Sequence, residues 1–343
     1  MKEKTIEKKD LSGFIDSLLE EYQVFAPTIA EGIPRFDRIS SSTQVSLDSP
    51  KLERSPKEVF FPQCETLFTY QLIDGKMTME EPPALESERV LLFVRPCDVK
   101  ALTLMDSVFT SWEPKDTNYL DKREKTIIVG RACSRPWSTC FCTSLGVDPF
   151  GKEGMDLVFE DIGDKYVVEA LTERGGKIID GSSLFKDAEK KDLENLKEVS
   201  KKATEAIRSE LDVKEIEKKL KAIYDDSFWG KVSEKCVGCG VCSYLCPVCH
   251  CFDVQDEGTE LKGKRVRIWD ACQYPIFTLH ASGHNPRTSS RERIRQRMMH
   301  KFSYFIENFG ELACVGCGRC IKGCPGNMDI REVLTGIMAT EAD

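Results

Sequence analysis

The hydrophobic pattern of the first 185 residues switches between helical and strand periods. Leu11, Phe14, Ile15, Leu18, Leu19 and Tyr22 recur at helical spacing and predict an N-terminal helix, with Asp10 placed as its N-cap. Val90-Leu91-Leu92-Phe93-Val94 and Ile127-Ile128-Val129 are short, branched apolar runs of the kind that form buried strands. The first leads into Asp98 to Phe109, where Val99, Leu102, Met105 and Phe109 line one helix face. Leu157-Val158-Phe159 and Tyr166-Val167-Val168, divided by Gly163-Asp164, predict a hairpin, and the polar stretch Ser40 to Pro50 predicts a loop. Residues 1–185 are therefore expected to form one α+β or α/β domain.

The pattern changes at Lys186. From there to Tyr224, Lys, Glu and Asp dominate, while Leu193, Leu196, Val199, Ala203 and Ile207 keep a helical stripe. Residues 186–224 are expected to be a charged helical linker whose charges form a solvated face. Residues 225–343 then carry an internal repeat, C-x2-C-x2-C-x3-C-P twice over, which is the bacterial ferredoxin spacing, and are expected to form a mainly α-helical, ferredoxin-like 4Fe-4S dicluster domain.

Composition narrows the classes. The 343 residues are 41% hydrophobic and 31% charged, as in an ordinary globular chain. No apolar run approaches the ~20 residues of a spanning helix. The charged start Met1 to Asp10 has no apolar segment behind it, so the expected location is cytoplasmic, without membrane insertion. A net charge of -8 argues against a nucleic-acid surface. Sixteen cysteines with no secretory signal point to metal rather than to disulfides.

Cys236-Val237-Gly238-Cys239-Gly240-Val241-Cys242-Ser243-Tyr244-Leu245-Cys246-Pro247 and Cys314-Val315-Gly316-Cys317-Gly318-Arg319-Cys320-Ile321-Lys322-Gly323-Cys324-Pro325 both read C-x2-C-x2-C-x3-C-P, the bacterial ferredoxin spacing. Three thiolates at i, i+3 and i+6 can wrap a loop round one cubane, with glycines letting the backbone approach the sulfides. The fourth cysteine leaves on a helix and points to the other cluster. Cys236, Cys239, Cys242 and Cys324 are thus assigned to one [4Fe–4S] cluster, and Cys314, Cys317, Cys320 and Cys246 to a second, with iron bound through sulfur. Four-cysteine zinc is the competing chemistry, but zinc sites generally pair two C-x2-C knuckles rather than repeat a run of three with C-P.

Cys249, His250, Cys251 and Cys272 lie between the repeats and read either as ligands of another metal or as packed thiols beside the clusters. His284, Arg287 and the stretch Arg291 to Arg297 are basic. They either sit near a cluster, where positive charge favours the reduced form, or answer the acidic remainder from a helix face. Cys97 follows one predicted strand and Cys133, Cys140 and Cys142 follow the next, at strand ends where open α/β sheets place ligands. These four make a full cubane set and are candidates for a third [4Fe–4S] cluster; the alternatives are structural thiols or a redox-active disulfide between Cys140 and Cys142. Cys64 stands alone and is read as structural. No G-x-G-x-x-G follows a strand, no G-x4-G-K-[ST] is present, and no catalytic constellation stands out, so no catalytic site of the chain's own is expected.

Several of these segments carry a family resemblance. Arg95-Pro96-Cys97-Asp98, Thr139-Cys140-Phe141-Cys142-Thr143, Cys246-Pro247-Val248-Cys249-His250-Cys251-Phe252-Asp253, Gly283-His284-Asn285-Pro286-Arg287, His300-Lys301-Phe302 and the two cysteine runs together resemble a group of iron–sulfur subunits. The group includes the iron–sulfur subunit of anaerobic sulfite reductase, the beta subunit of sulfhydrogenases, and the iron–sulfur subunits of flavin oxidoreductases linked to heterodisulfide reductase. The likeness spans nearly the whole chain. It implies an electron-relay subunit of an anaerobic, hetero-oligomeric oxidoreductase complex. A flavin- and NAD(P)-binding partner would stand at one end, and a catalytic subunit of sulfite reductase, hydrogenase or heterodisulfide reductase type at the other. A rival expectation is a subunit with its own small-anion (sulfite-like) site near Cys249, Cys251, Cys272, His284 and Arg287.

Overall fold

The computed structural model describes residues 3–47 and 52–341. Eight strands form the larger sheet: β1 (Lys4–Glu7), β2 (Gln23–Ala30), β3 (Ile33–Arg38), β6 (Arg89–Val94), β7 (Thr126–Arg131), β8 (Leu157–Asp161), β9 (Lys165–Ala170) and β10 (Lys186–Asp187). Their spatial order is β10-β1-β9-β8-β7-β6-β2-β3. The central neighbours β2, β6, β7 and β8 are parallel, and the outer pairings are antiparallel. β6 is buried along its whole length, which is why it reads as an unbroken apolar run.

Helices cover both faces. α1 (Leu11–Glu21) sets Phe14, Ile15 and Leu18 against Val90, Leu92, Ile127 and Val129. α2 (Pro96–Thr110) sets Val99, Leu102 and Met105 against Leu91 and Ile128 on the opposite face. Each such side chain contributes about 1.5–3 kcal/mol on leaving water. α3 (Thr117–Glu124) adds Tyr119 to the second face, and α4 (Glu173–Asp180) adds Ile178 and Ile179 to the first.

The predicted N-terminal helix, both buried strands and the β8–β9 hairpin are present, with Phe159 paired to Val168. α2 starts at Pro96, two residues before the expected start, because proline is pre-organised for the first helical position. Cys97 therefore lies in a helical turn, not in a loop. In the expected loop from Ser40, Ser42–Gln44 forms a 3-10 turn capped by Ser41, and residues 48–50 lie outside the described residues.

A second sheet was not predicted. It has the order β11-β12-β4-β5, from β4 (Cys64–Ile73), β5 (Lys76–Glu80), β11 (Phe252–Gly258) and β12 (Lys262–Trp269). β4 pairs antiparallel with β12, so the sheet joins a hairpin from the first hundred residues to one from the last hundred. Between residues 186 and 224, α5 (Lys190–Glu205) lays Leu196, Val199 and Ala203 on Ala132 and Phe150. α6 (Ile216–Ala222) buries Ile216 and Leu220 with Trp229 and Ile337.

The rest of the chain is built of short helices around the cysteine runs: α7 (Phe228–Ser233), α8 (Val241–Tyr244), α9 (Ser290–Met299), α10 (Phe305–Phe309), α11 (Arg319–Lys322) and α12 (Ile330–Ala339). A π-turn, His300–Tyr304, joins α9 to α10. Among the described residues no helix is long and apolar enough to cross a membrane.

Candidate functional site

The two cysteine runs fold alike. Each turns on glycines with left-handed φ, Gly238 (68°) and Gly240 (73°) in the first and Gly316 (60°) and Gly318 (75°) in the second. Each then enters a one-turn helix, α8 or α11. The two short helices touch: a Cβ on Gly323 would fall 2.4 Å from Leu245 Cδ1, so glycine permits the approach. Cys324 is thereby turned toward the other run. Cys236, Cys239, Cys242 and Cys324 line one cavity together with Cys320, walled by Ile294, Met298, Met328 and Val333. The Met328 N–H donates to Cys324 Sγ at 3.3 Å. In the opposite direction, Cys246 is packed with Cys317, Ala313 and Val315.

This donor set fits a four-iron cluster. Thiolate is the ligand such clusters use, and the walls between the cysteines are apolar. Among the described residues no three His, Cys, Asp or Glu side chains converge as the ligands of a single ion do. The thiolates of a cubane stand apart, at its corners.

Three buried cations face this sulfur. Lys57, Arg297 and Lys301 are 2%, 6% and 4% exposed. Lys301 Nζ donates to Cys246 Sγ at 3.2 Å and to the Ala313 carbonyl at 2.8 Å. Arg297 donates to Cys249 Sγ at 3.6 Å and to the Cys242 carbonyl at 3.1 Å. Lys57 donates to the Cys249 carbonyl at 2.9 Å and lies 3.7 Å from the centroid of the Trp269 ring. Burial opposes all three charges. Around Lys301 and Arg297 the thiols more than offset it and hold both cations protonated, above their ordinary range. At Lys57 burial prevails, and its pKa falls. Burial, with His250, Lys301 and Arg297 nearby, pushes His300 down to about 3. Buried positive charge is costly unless negative charge stands beside it, so this arrangement is suited to anionic sulfur.

The basic stretch of α9 divides by face. Arg293, Arg297 and Lys301 recur every four residues and are buried. Arg291 and Arg295 point away, to the carbonyls of Asp225 (2.8 Å) and Tyr224 (2.9 Å). Arg297 thus faces the cysteine runs, and Arg291 and Arg295 face the segment before α7.

The second run is roofed by the N-terminal region. The Phe141 N–H donates to the Gly316 carbonyl at 2.9 Å, and Cys140 Sγ lies 3.7 Å from the Cys317 carbonyl oxygen. A Cβ on Gly316 would sit 2.5 Å from Cys142 Cα. Arg319, inside the run, is 1% exposed and grips Asp98 with two hydrogen bonds of 2.5 and 2.8 Å. Its Nε also donates to the Leu52 carbonyl at 3.0 Å. Sequence reasoning missed this pair and Lys57. Lys57 carried no local signal, whereas Arg319 stands where the first run has Val241.

Of the N-terminal cysteines, Cys97 and Cys142 share one buried cluster with Cys246 and Cys317. Cys140 lies over the second run, while Cys133 is outside that cluster, with its N–H on the Pro149 carbonyl at 2.8 Å. Cys64 is exposed at the start of β4 rather than packed. Among the described residues no two cysteines are joined in a disulfide. Between the runs, Cys249 Sγ accepts from Arg297 at 3.6 Å, and Cys272 Sγ accepts from Gln273 Nε2 at 3.7 Å. His284 is turned toward His280 in an exposed segment, with ring centroids 5.4 Å apart. Arg287 is half-buried, with its carbonyl on Arg293 (3.2 Å).

Known proteins share both the motif and the whole chain. The family described as 4Fe-4S dicluster domain matches residues 235–328. The sulfhydrogenase 2 subunit beta of Pyrococcus furiosus is 32% identical over 323 residues, covering 94% of this chain and 94% of that protein. The chain belongs to the sulfhydrogenase beta-type iron–sulfur subunit family. A member of this family is an iron–sulfur electron-transfer subunit of a multi-subunit oxidoreductase, and the resemblance read from the sequence holds. Residues 235–328 contain both cysteine runs and the buried cations Arg293, Arg297 and Lys301.

Proposed function

We propose that the chain relays single electrons between a flavin- and NAD(P)-binding partner and a catalytic subunit of hydrogenase type, in a cytoplasmic hetero-oligomer. The observation that carries this reading is the cavity that gathers Cys236, Cys239 and Cys242 with Cys324. On this reading those four hold one [4Fe–4S] cluster, and Cys314, Cys317, Cys320 and Cys246 hold the second, in a mainly helical, ferredoxin-like unit at 225–343. Each cluster supplies a one-electron acceptor and donor.

The chain's own residues do the rest. Arg297 and Lys301 offset negative charge on sulfur and so favour the added electron. Ile294, Met298 and Val333 keep water from the first set. Cys239 is exposed and Val237 is 70% exposed, which supports exchange with a partner on that side. Cys97, Cys133, Cys140 and Cys142 hold a third cluster on the same reading. The contacts of Cys140 and Cys142 with the second run support it, and the position of Cys133 supports it least. The exposed setting of His284 gives little support to a small-anion site.

The test is iron and acid-labile sulfide per chain under anaerobic conditions, with electron paramagnetic resonance after dithionite reduction. About twelve irons support three cubanes, and about eight leave the crossed pair alone. A colourless, zinc-loaded protein refutes the reading, as does robust hydrogen or sulfite turnover by the isolated chain.

A further inference from the structure

We propose that one edge of the large sheet holds a phosphate-binding site, built by residues that neither cysteine run uses. The proposal is independent of the relay reading. Five neighbouring strands each bring a residue to this edge. β6, β7 and β8 run parallel, so their carboxyl ends lie together: Arg95 follows β6, Arg131 closes β7 and Asp161 closes β8. β9 turns back from β8, and β1 runs antiparallel to β9, which returns Tyr166 and Lys8 to the same edge. Open α/β sheets bind their ligands outside the carboxyl ends of the strands.

Together with Ser134 and Arg135, these residues line a cavity of about 280 Å³. Four cations there meet one carboxylate, and no further acidic residue lines the cavity among the described residues. Lys8 Nζ lies 2.8 Å from one Asp161 oxygen, and the Arg131 guanidinium lies 3.6 Å from the other. Arg131 also donates to the Leu47 carbonyl at 3.2 Å, which fixes its direction. Lys8 and Arg131 flank the Tyr166 ring, 5.4 and 5.9 Å from its centroid. Arg95 is only 9% exposed. Gathering cations at a partly buried site is costly unless negative charge joins them, and this chain carries a net charge of -8.

Four positive charges to one negative favour a dianion over a single carboxylate, and guanidinium forks match the oxygens of phosphate. Ser134 adds a hydroxyl to the lining. The cavity falls just short of the roughly 300–1,000 Å³ of pockets for drug-sized ligands. The ligand is therefore inorganic phosphate or the phosphate group of a small monoester, not a dinucleotide. Arg95 and Arg131 also stand two residues before Cys97 and Cys133. The competing role for them is thus to balance the charge of a third cluster.

The test is anaerobic equilibrium dialysis of the full chain against radiolabelled inorganic phosphate, with glycerol phosphate or acetate as competitor at constant ionic strength. The parent is expected to bind phosphate saturably, and acetate should not displace it. Arg135→Gln, at an exposed position, and Arg131→Gln should each weaken binding by about tenfold or more, with iron content unchanged. Lys190→Gln, on exposed α5 surface, should bind as the parent does. Glycerol phosphate competing at least as well as unlabelled phosphate identifies a monoester as the ligand; weaker competition identifies free phosphate. Absence of saturable binding at millimolar phosphate overturns the proposal, and so does equal displacement by acetate. Unchanged binding in both arginine variants overturns it too. Loss of about four irons in Arg131→Gln does the same, since it assigns the arginines to a cluster.

Discussion

Val237 and Val315 occupy the same place in the same motif, yet one is 70% exposed and the other 2%. The two runs share their spacing, their left-handed glycines and their one-turn helices. Their surroundings differ. The first run opens to solvent at Cys239, and a Cβ on Gly238 would meet only the Gln273 carbonyl at 3.7 Å. The second lies beneath Thr139 to Cys142 and is clamped by Arg319 to Asp98. Motif chemistry therefore sets what each run can bind, and tertiary cover sets what can reach it. The open run suits exchange with a partner, and the covered run suits passage within the chain.

Five experiments test this contrast. The largest effect is expected from Cys324→Ser, which should lose about four irons and the same paramagnetic signal as Cys236→Ser, not that of Cys314→Ser. Loss of the Cys314 signal instead would uncross the two sets. Next, Arg319→Met leaves Asp98 buried without its partner and should cost about 3–5 kcal/mol in anaerobic denaturant unfolding, with the covered centre disturbed before the open one. Lys301→Met removes a cation from Cys246 and should lower the potential of the covered centre by on the order of 100 mV. A unit charge a few ångströms away at an effective dielectric of about 20 has that magnitude. Potentiometric titration checks it.

His300→Phe addresses acid sensitivity. Burial holds His300 at about 3, below its ordinary 6.5, so the unfolded chain binds this proton more readily than the folded one. Its contribution is complete above pH 6.5 and is lost as pH falls toward 3. The variant's melting temperature should therefore decline less than the parent's on acidification from pH 6.5. The smallest effect belongs to Val237→Glu, which should leave stability within about 0.5 kcal/mol while slowing electron exchange with the partner protein. A large loss of stability would show that the open run is covered after all.

What the sequence revealed follows the same division between local and distant causes. β6 and β7 were legible because burial on both faces writes a continuous apolar run, and α1 because its apolar face repeats at the helical period. β5 and β11 were not, since every residue in them is exposed and neither strand has a face turned to the core. Their sheet depends on β4 finding β12 across much of the chain, which no local window contains. The ferredoxin spacing was plain because one loop supplies three thiols. Lys57 was invisible because it reaches Cys249 from 192 residues away. Lys301 was half visible, in register with Arg297 four residues earlier, but only the fold shows that this face is buried.

The Arg319–Asp98 clamp spans 221 residues of chain. At a synthesis rate of about 5–20 residues per second, Asp98 leaves the ribosome on the order of 10–40 s before its partner. During that interval the roof over the covered run has nothing to close on, and β4 lacks the strand that will pair with it. Folding is thus ordered by chain position: the roof over the covered run and the pairing of β4 with β12 both wait for the last third of the chain to be made.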